Sequence, residues 1–114
     1  MDSAGNSVLT RLMTLLEERN ATRPEKSYTT RLLAGGVPAI GAKIIEEAAE
    51  VVEAAGETGE EGRHHVVHEA ADLIYHLFVL LTHNGVQLNE VEAELARRFG
   101  VSGLEEKAAR PAKP

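Results

Sequence analysis

The chain has 114 residues, a formal net charge of −6 and no cysteine. This length fits one domain with a modest core, and the lack of cysteine excludes disulfides and thiolate chemistry, which favours a cytoplasmic protein. The acidic balance argues against a nucleic-acid binder, and the longest apolar run, residues 77–81, is too short to cross a membrane.

The hydrophobic pattern of the first half predicts three helices. The first runs from about Val8 to Arg19, with Ser7 as its N-cap. A short helix over residues 27–33 is ended by Gly35 and Gly36. A long helix then begins near Pro38, because proline is tolerated in a first turn, and ends near residues 56–59.

The second half predicts two more helices. One runs from about Glu61 to Asn84, and its middle is apolar nearly all round, which is typical of the central helix of a bundle. The last begins at Asn89, with Glu92 at the capping-box position, and ends at Gly100. Residues 101–114 have the composition of a flexible tail.

The predicted fold is therefore an all-α domain over residues 1–100, a helical bundle of four to five helices. A single chain of this length has few residues left to form a hydrophobic core of its own. We expect the long helix and the central helix to complete a four-helix core with a second subunit, which makes the chain a homodimer.

Two acidic segments stand out within the predicted helices, E-E-A-A-E at residues 46–50 and E-A-A-D at residues 69–72. Acids three residues apart share one face of a helix. The first segment borders the apolar stripe of the long helix, which is formed by Ile40, Ile44, Ala48, Val51 and Ala55. The second projects from the most apolar helix, and buried acids are seldom left without a partner.

Facing carboxylates of this kind predict a site for a hard cation, Mg²⁺ or alternatively Mn²⁺. Mg²⁺ held by carboxylates commonly handles phosphate groups, which suggests attack of water on a phosphorus atom. A free carboxylate would then position or deprotonate the water. A solvated acidic face is the competing interpretation of the first segment taken alone.

Other polar residues have two interpretations each. Ser27, Thr29 and Thr30 precede the long helix, where hydroxyl and backbone N–H groups bind phosphate or simply cap a helix. Tyr75 either lines a base or ribose pocket or packs in the core. His76 is expected to be a hydrogen-bonded core residue, whereas His64, His65 and His68 are expected at the surface.

Several segments occur in one order that is characteristic of a known family: S-Y-T at 27–29, L-L-A-G-G-V at 32–37, I-G-A-K at 40–43, E-E-A-A-E-V at 46–51 and E-A-A-D-L-I-Y-H at 69–76. Over about residues 7–100 the chain closely resembles the phosphoribosyl-ATP pyrophosphohydrolases of histidine biosynthesis. The acidic pattern is shared with the wider MazG-like all-α nucleoside triphosphate pyrophosphohydrolases. The stretch from S-Y-T to I-G-x-K narrows the resemblance to the phosphoribosyl-ATP enzymes.

The resemblance implies a dimeric enzyme that uses Mg²⁺ to hydrolyse the α–β phosphoanhydride of phosphoribosyl-ATP, giving phosphoribosyl-AMP and pyrophosphate. The catalytic candidates are Glu46 and Glu47, and Glu46 would either hold a second metal ion or orient the water. Lys43 would contact phosphate. The family often has another lysine where this chain has Ala42, so Arg31 is a substitute candidate. The metal ligands implied are Glu47, Glu50, Glu69 and Asp72.

The sequence leaves two alternative functions open. A MazG-like enzyme could carry out the same chemistry on other nucleoside triphosphates, and a panel of nucleotides would distinguish it. A non-enzymatic dimeric helical module, whose acids only keep it soluble, would bind no divalent metal.

Overall fold

The computed structural model describes residues 7–99, and in this range it contains four α-helices and no strand. Helix α1 spans Val8–Thr22, α2 spans Tyr28–Ala55, α3 spans Gly59–His83 and α4 spans Leu88–Arg97. The predicted all-α bundle is confirmed. The expected tail over residues 101–114 and the expected helix end at Gly100 lie outside the described residues. None of the four helices is long and apolar enough to span a membrane.

The ends of α1 follow from local hydrogen bonds. The hydroxyl of Ser7 accepts a bond from the backbone N–H of Thr10 at 3.1 Å, which confirms the predicted N-cap. The helix continues three residues past its predicted end, to Thr22. It closes where Arg23 adopts a left-handed conformation and its N–H donates to the carbonyl of Arg19.

The predicted start of α4, with Asn89 as its cap, is two residues too late. Gln87 is the N-cap, and its backbone N–H donates to the Glu90 side chain at 3.0 Å. The sequence offers the same three-residue spacing twice, and asparagine is the better cap residue. Packing decides between them, because Leu88 contacts the hydrophobic core and is drawn into the first turn.

The core lies where α1 packs across the hairpin formed by α2 and α3. Contacts between α2 and α3 are the most extensive in the domain. The buried apolar side chains of the core cluster come from all three helices. They are Met13, Leu16, Leu32, Leu33, Ile40, Phe78 and Val79.

A reversal of the chain at Gly36 divides α2 into residues 28–35 and residues 37–55. Gly36 has φ 69° and ψ −163°, a backbone region that is essentially restricted to glycine. Tyr28 and Glu47 both contact His76, although a continuous helix would hold those two positions about 28 Å apart. The chain must therefore turn back at Gly36, where the paired glycines predicted a helix end, and Pro38 lies in the first turn of the second segment.

Replacing Gly36 with alanine should lower the free energy of unfolding by about 1–3 kcal/mol, because an L-residue is strained in this conformation. The added Cβ would meet His83 at 3.7 Å, an ordinary contact, so the loss would report backbone strain rather than a clash. Denaturant unfolding monitored by circular dichroism measures the change.

The matched control is Gly41→Ala. Gly41 is helical, and an added Cβ there meets no described atom within 4 Å. This variant should be stabilised by about 0.5–1 kcal/mol, since alanine is the better helix former. Equal stability of Gly36→Ala and the unmutated protein would contradict the assigned reversal.

Candidate active site

Two acidic side chains occupy the buried seam between α2 and α3. In the part of α2 that follows Gly36, buried positions recur every seven residues, at Ile40, Glu47 and Ala54. This spacing is typical of helices that pack along a common seam. Glu47 retains only 6% of its possible exposure, so it lies in the seam and does not merely border it.

The predicted stripe of α2 was therefore wrong at its C-terminal end. It ended at Ala55, which is exposed, whereas Ala54 is completely buried. A straight helix has 3.6 residues per turn, but a seam that stays against its partner follows a period of 3.5. The shorter period moves the buried face toward Glu47 and Ala54.

On α3 the same seven-residue spacing connects Gly62, Glu69 and His76, all of them buried. Glu69 is 9% exposed. The hairpin thus places a carboxylate from each helix in one polar layer, with apolar layers on the α1 side formed by residues such as Ile40 and Val79.

Three carboxylates meet at this layer. Oxygens of Glu47, Glu50 and Glu69 all lie within 4.8 Å of one another. Among the residues described, Oε1 of Glu47 and Oε1 of Glu69 are buried without a hydrogen-bond partner. Carboxylate oxygens without donors are costly to bury, and a bound cation would remove that cost. The three residues could therefore hold a metal ion.

Like-charge crowding is visible in the electrostatics of Glu50. A hydrogen bond between the Glu50 and Glu69 carboxyl groups is the largest cause that raises the pKa of Glu50. Partial burial and the charges of Glu69, Glu46 and Glu47 add to it. At neutral pH in the absence of a cation, the cluster thus opposes full ionisation.

Two histidines lie on the outer side of the cluster. His65 Nε2 is 3.2 Å from Glu69 Oε2, and its Nδ1 is 3.0 Å from Glu57. The hydrogen bond to Glu57 is the main cause that raises the pKa of His65, against a smaller opposing effect of desolvation. His68 Nε2 is 3.4 Å from Asp72, so Asp72 belongs to a second group with His68 and Glu69.

These histidine contacts were not predicted, although the surface placement of His64, His65 and His68 was correct in outline. The i, i+4 spacing of His65 with Glu69 and of His68 with Asp72 is a signal that the sequence contains. The contact with Glu57 has no such signal, because it depends on how the chain turns between α2 and α3.

His76 is a buried, hydrogen-bonded residue, as expected. Its Nδ1 lies 2.9 Å from the backbone carbonyl of Asp72 and 3.0 Å from Glu47 Oε1, and its Nε2 lies 2.8 Å from the Tyr28 hydroxyl. The Nδ1–H is aligned with the carbonyl. The Nδ1–Oε1 distance to Glu47 is that of an ion pair, but the N–H is not directed at this oxygen. Oε1 of Glu47 therefore has no hydrogen-bond partner among the described residues.

The residues predicted to contact phosphate range from exposed to buried, and some of them have hydrogen bonds within the protein. Lys43 Nζ lies 3.2 Å from Glu46 Oε1 at the exposed edge of the cluster, and this bond is the main cause that raises the pKa of Lys43. Ser27 caps α2 by accepting from the N–H of Thr30 at 3.2 Å. The buried hydroxyl of Thr29 is hydrogen-bonded to the hydroxyl of Tyr75, and Arg31 is exposed.

A helical hairpin with carboxylates from both arms defines an all-α protein with an acidic site of the type that suits a divalent cation. A family model described as phosphoribosyl-ATP pyrophosphohydrolase matches residues 9–99. The chain belongs to this phosphoribosyl-ATP pyrophosphohydrolase family, as its motifs indicated.

Individual relatives agree with the family match. A phosphoribosyl-ATP pyrophosphatase of Rhodopirellula baltica is 62% identical over 105 residues, covering 92% of this chain and 88% of the relative. One of Methylococcus capsulatus is 50% identical, covering 90% and 95%. One of Neisseria meningitidis is 43% identical, covering 93% and 96%.

Replacing Glu50 with glutamine should stabilise the metal-free protein at pH 7 but not at pH 4. The pKa of Glu50 is raised in the folded state from its usual 4.5. The folded state therefore binds the proton more tightly, and stability is lost as pH rises through the raised value. Melting temperatures in EDTA at the two pH values measure the effect.

The control for this prediction is Glu53→Gln, which changes an exposed acid one turn further along α2. Its melting temperature should differ little from that of the unmutated protein. A lower melting temperature of Glu50→Gln at pH 7 would show that the Glu50 carboxylate stabilises the fold, contrary to this account.

Proposed function

We propose that this chain is a cytoplasmic, Mg²⁺-dependent enzyme that hydrolyses the α–β phosphoanhydride of phosphoribosyl-ATP to phosphoribosyl-AMP and pyrophosphate, the second step of histidine biosynthesis. The observation that carries the proposal is the layer formed by Glu47, Glu50 and Glu69 in the α2–α3 seam. The choice of phosphoribosyl-ATP as the substrate is supported by membership of the family.

The donor set fits the metal. All three residues offer hard carboxylate oxygens, and two of those oxygens are buried without donors from the described part of the chain. Glu47, Glu50 and Glu69 would hold Mg²⁺, and Asp72 would join through the adjoining group that shares Glu69. Bound Mg²⁺ would neutralise negative charge on the phosphate oxygens and on the pyrophosphate leaving group.

The groups at the open edge of the site would handle the water. Glu46 is exposed and adjacent to the cluster, so its carboxylate would orient the attacking water and accept its proton. The water oxygen bonds to phosphorus as the bond from phosphorus to the bridging oxygen breaks. Glu47 would contribute as a ligand that fixes the position of the cation.

The cationic and hydroxyl groups would bind substrate. Lys43 would exchange its bond to Glu46 for a phosphate oxygen, which its flexible side chain and partial exposure allow. Ser27, Thr29 and Arg31 lie on the segment that folds back at Gly36, and Tyr75 is joined to that segment through Thr29. We place these four residues at the nucleotide end of the site.

Replacing Glu47 with glutamine should reduce pyrophosphate release from phosphoribosyl-ATP by about 100-fold or more, because a charged ligand of the proposed Mg²⁺ is removed with little change of shape. Release is measured with a coupled pyrophosphate assay in Mg²⁺. Glu53→Gln, the same substitution at an exposed site on α2, should retain full activity.

The result that would contradict the proposed function is an absence of pyrophosphate release above the Glu47→Gln level. A nucleotide panel separates the alternative substrate class. Turnover of ordinary nucleoside triphosphates, with none of phosphoribosyl-ATP, would assign the chain to the wider MazG-like activity instead.

We also propose that the enzyme is a homodimer joined through α2 and α3. Both helices leave apolar residues exposed at seven-residue spacing, Ile45 with Val52 on α2 and Val67 with Ile74 on α3. Ile45 and Val52 are 74% and 73% exposed in the single chain. Burying such a stripe against the same stripe of a second copy would complete a four-helix arrangement.

Replacing Ile45 with aspartate should convert the dimer to a monomer, because a charge would be buried at the centre of the proposed contact. Light scattering coupled to size-exclusion chromatography measures the mass. Val8→Asp is the matched control, since Val8 has almost the same exposure, 73%, on α1. A dimer that survives Ile45→Asp and dissociates with Val8→Asp would place the contact on α1 instead.

A further inference from the structure

We propose that Tyr28 and His76 are positioning residues that orient Glu47 for metal binding through a chain of polar contacts, namely the hydrogen bonds of His76 to Tyr28 and Asp72 and its close contact with Glu47. The chain runs from the Tyr28 hydroxyl to His76 and from His76 toward Glu47 and the backbone of Asp72. This inference rests on the proposed function, because it assumes that Glu47 is a metal ligand.

The partners of His76 determine where its proton lies. Nδ1 is 2.9 Å from the carbonyl oxygen of Asp72, which can only accept a hydrogen bond. Nδ1 must therefore carry the proton, and in the neutral ring Nε2 is the acceptor. The Tyr28 hydroxyl, 2.8 Å away, then donates to Nε2 and fixes this tautomer.

The same Nδ1–H faces Glu47. It lies 3.0 Å from Oε1, the buried oxygen for which the described residues provide no aligned donor. Although this N–H is directed at the Asp72 carbonyl, its partial positive charge lies beside Oε1 and would attract that oxygen. The other Glu47 oxygen would then be directed away from His76 and free to bind a cation.

The ring of His76 is held on both sides. Tyr28 contacts it edge to face, with ring centroids 5.9 Å apart, and Tyr75 does the same at 5.3 Å. A buried ring with fixed orientation and a fixed tautomer is what a donor to a metal ligand requires. An apolar residue would fill the same space, so packing alone gives no reason for a histidine here.

The connection depends on the fold of α2. Tyr28 lies before Gly36 and Glu47 lies after it, so the two reach one histidine only because the chain reverses. The substrate-binding segment and the proposed metal ligand are thereby joined through α3.

The test is Mn²⁺ binding to the full, nucleotide-free chain, measured by isothermal titration calorimetry. His76→Phe keeps an aromatic ring at this position but removes both nitrogens. It should weaken Mn²⁺ binding by about 10-fold or more. His76→Asn should retain most of the affinity, because its amide N–H can replace the Nδ1–H. Tyr28→Phe should show an intermediate loss that disappears when it is combined with His76→Asn.

Matched controls separate this from a general effect on α3. His83→Asn makes the same substitution two turns further along the helix, where His83 contacts Asn84, and should leave Mn²⁺ affinity unchanged. Melting temperatures in EDTA are recorded for every variant. Should His76→Phe fail to fold, Tyr28→Phe with and without His76→Asn provides the same comparison.

Two results would overturn the proposal. One is Mn²⁺ affinity in His76→Phe equal to that of the unmutated protein. The other is an equal loss in His76→Phe and His76→Asn, which would mean that packing and not the N–H matters. Failure of the proposed metal site has a different signature, since the unmutated protein would then bind no Mn²⁺.

Discussion

The burial of carboxylates in the α2–α3 seam is the constraint around which the domain is organised. Glu47 and Glu69 occupy positions that the seven-residue repeat would otherwise give to apolar side chains. A buried polar atom without a partner costs about 1–3 kcal/mol, and a charged one costs more. Glu47 and Glu69 each carry such an oxygen in the described chain. A cation bound by these acids would remove this cost.

The cluster of Glu47, Glu50 and Glu69 has one side packed against the core and one side open to solvent. On the α1 side, Ile40 and Val79 are completely buried and hold the helices in register. On the opposite side, Glu46 is exposed to solvent and Lys43 is partly exposed. A site built this way keeps its inner carboxylates fixed and leaves one side open for an anionic substrate. His65 adds a polarised group at the outer margin, where it contacts Glu69.

Much of the fold could be predicted from the sequence because its signals are local. The cap at Ser7 and the interruption of the helix at Gly36 depend on residues with strong conformational preferences, and both occur where expected. The start of α4 could not be fixed, because two equivalent capping patterns compete and only the packing of Leu88 decides. The exact phase of α2 depends on its partner helix, so the burial of Ala54 was also missed.

The sequence predicted which types of residue form the candidate site, but only part of how these residues are grouped in space. Spacing predicted that the acids of residues 46–50 and 69–72 would face each other, and the structure brings oxygens of Glu47, Glu50 and Glu69 into one cluster. Asp72 joins a second group with His68, a distinction that depends on side-chain direction and not on spacing. The contact of Tyr28 with His76 joins segments remote in sequence, and no local pattern encodes it.

The most direct test of this account is a crystal structure of the full chain grown with Mn²⁺, with an anomalous difference map calculated at the manganese edge. The account predicts a peak coordinated by oxygens of Glu47, Glu50 and Glu69 in the α2–α3 seam. A well-ordered seam with no anomalous peak beside these three carboxylates, in crystals that contain Mn²⁺, would contradict it.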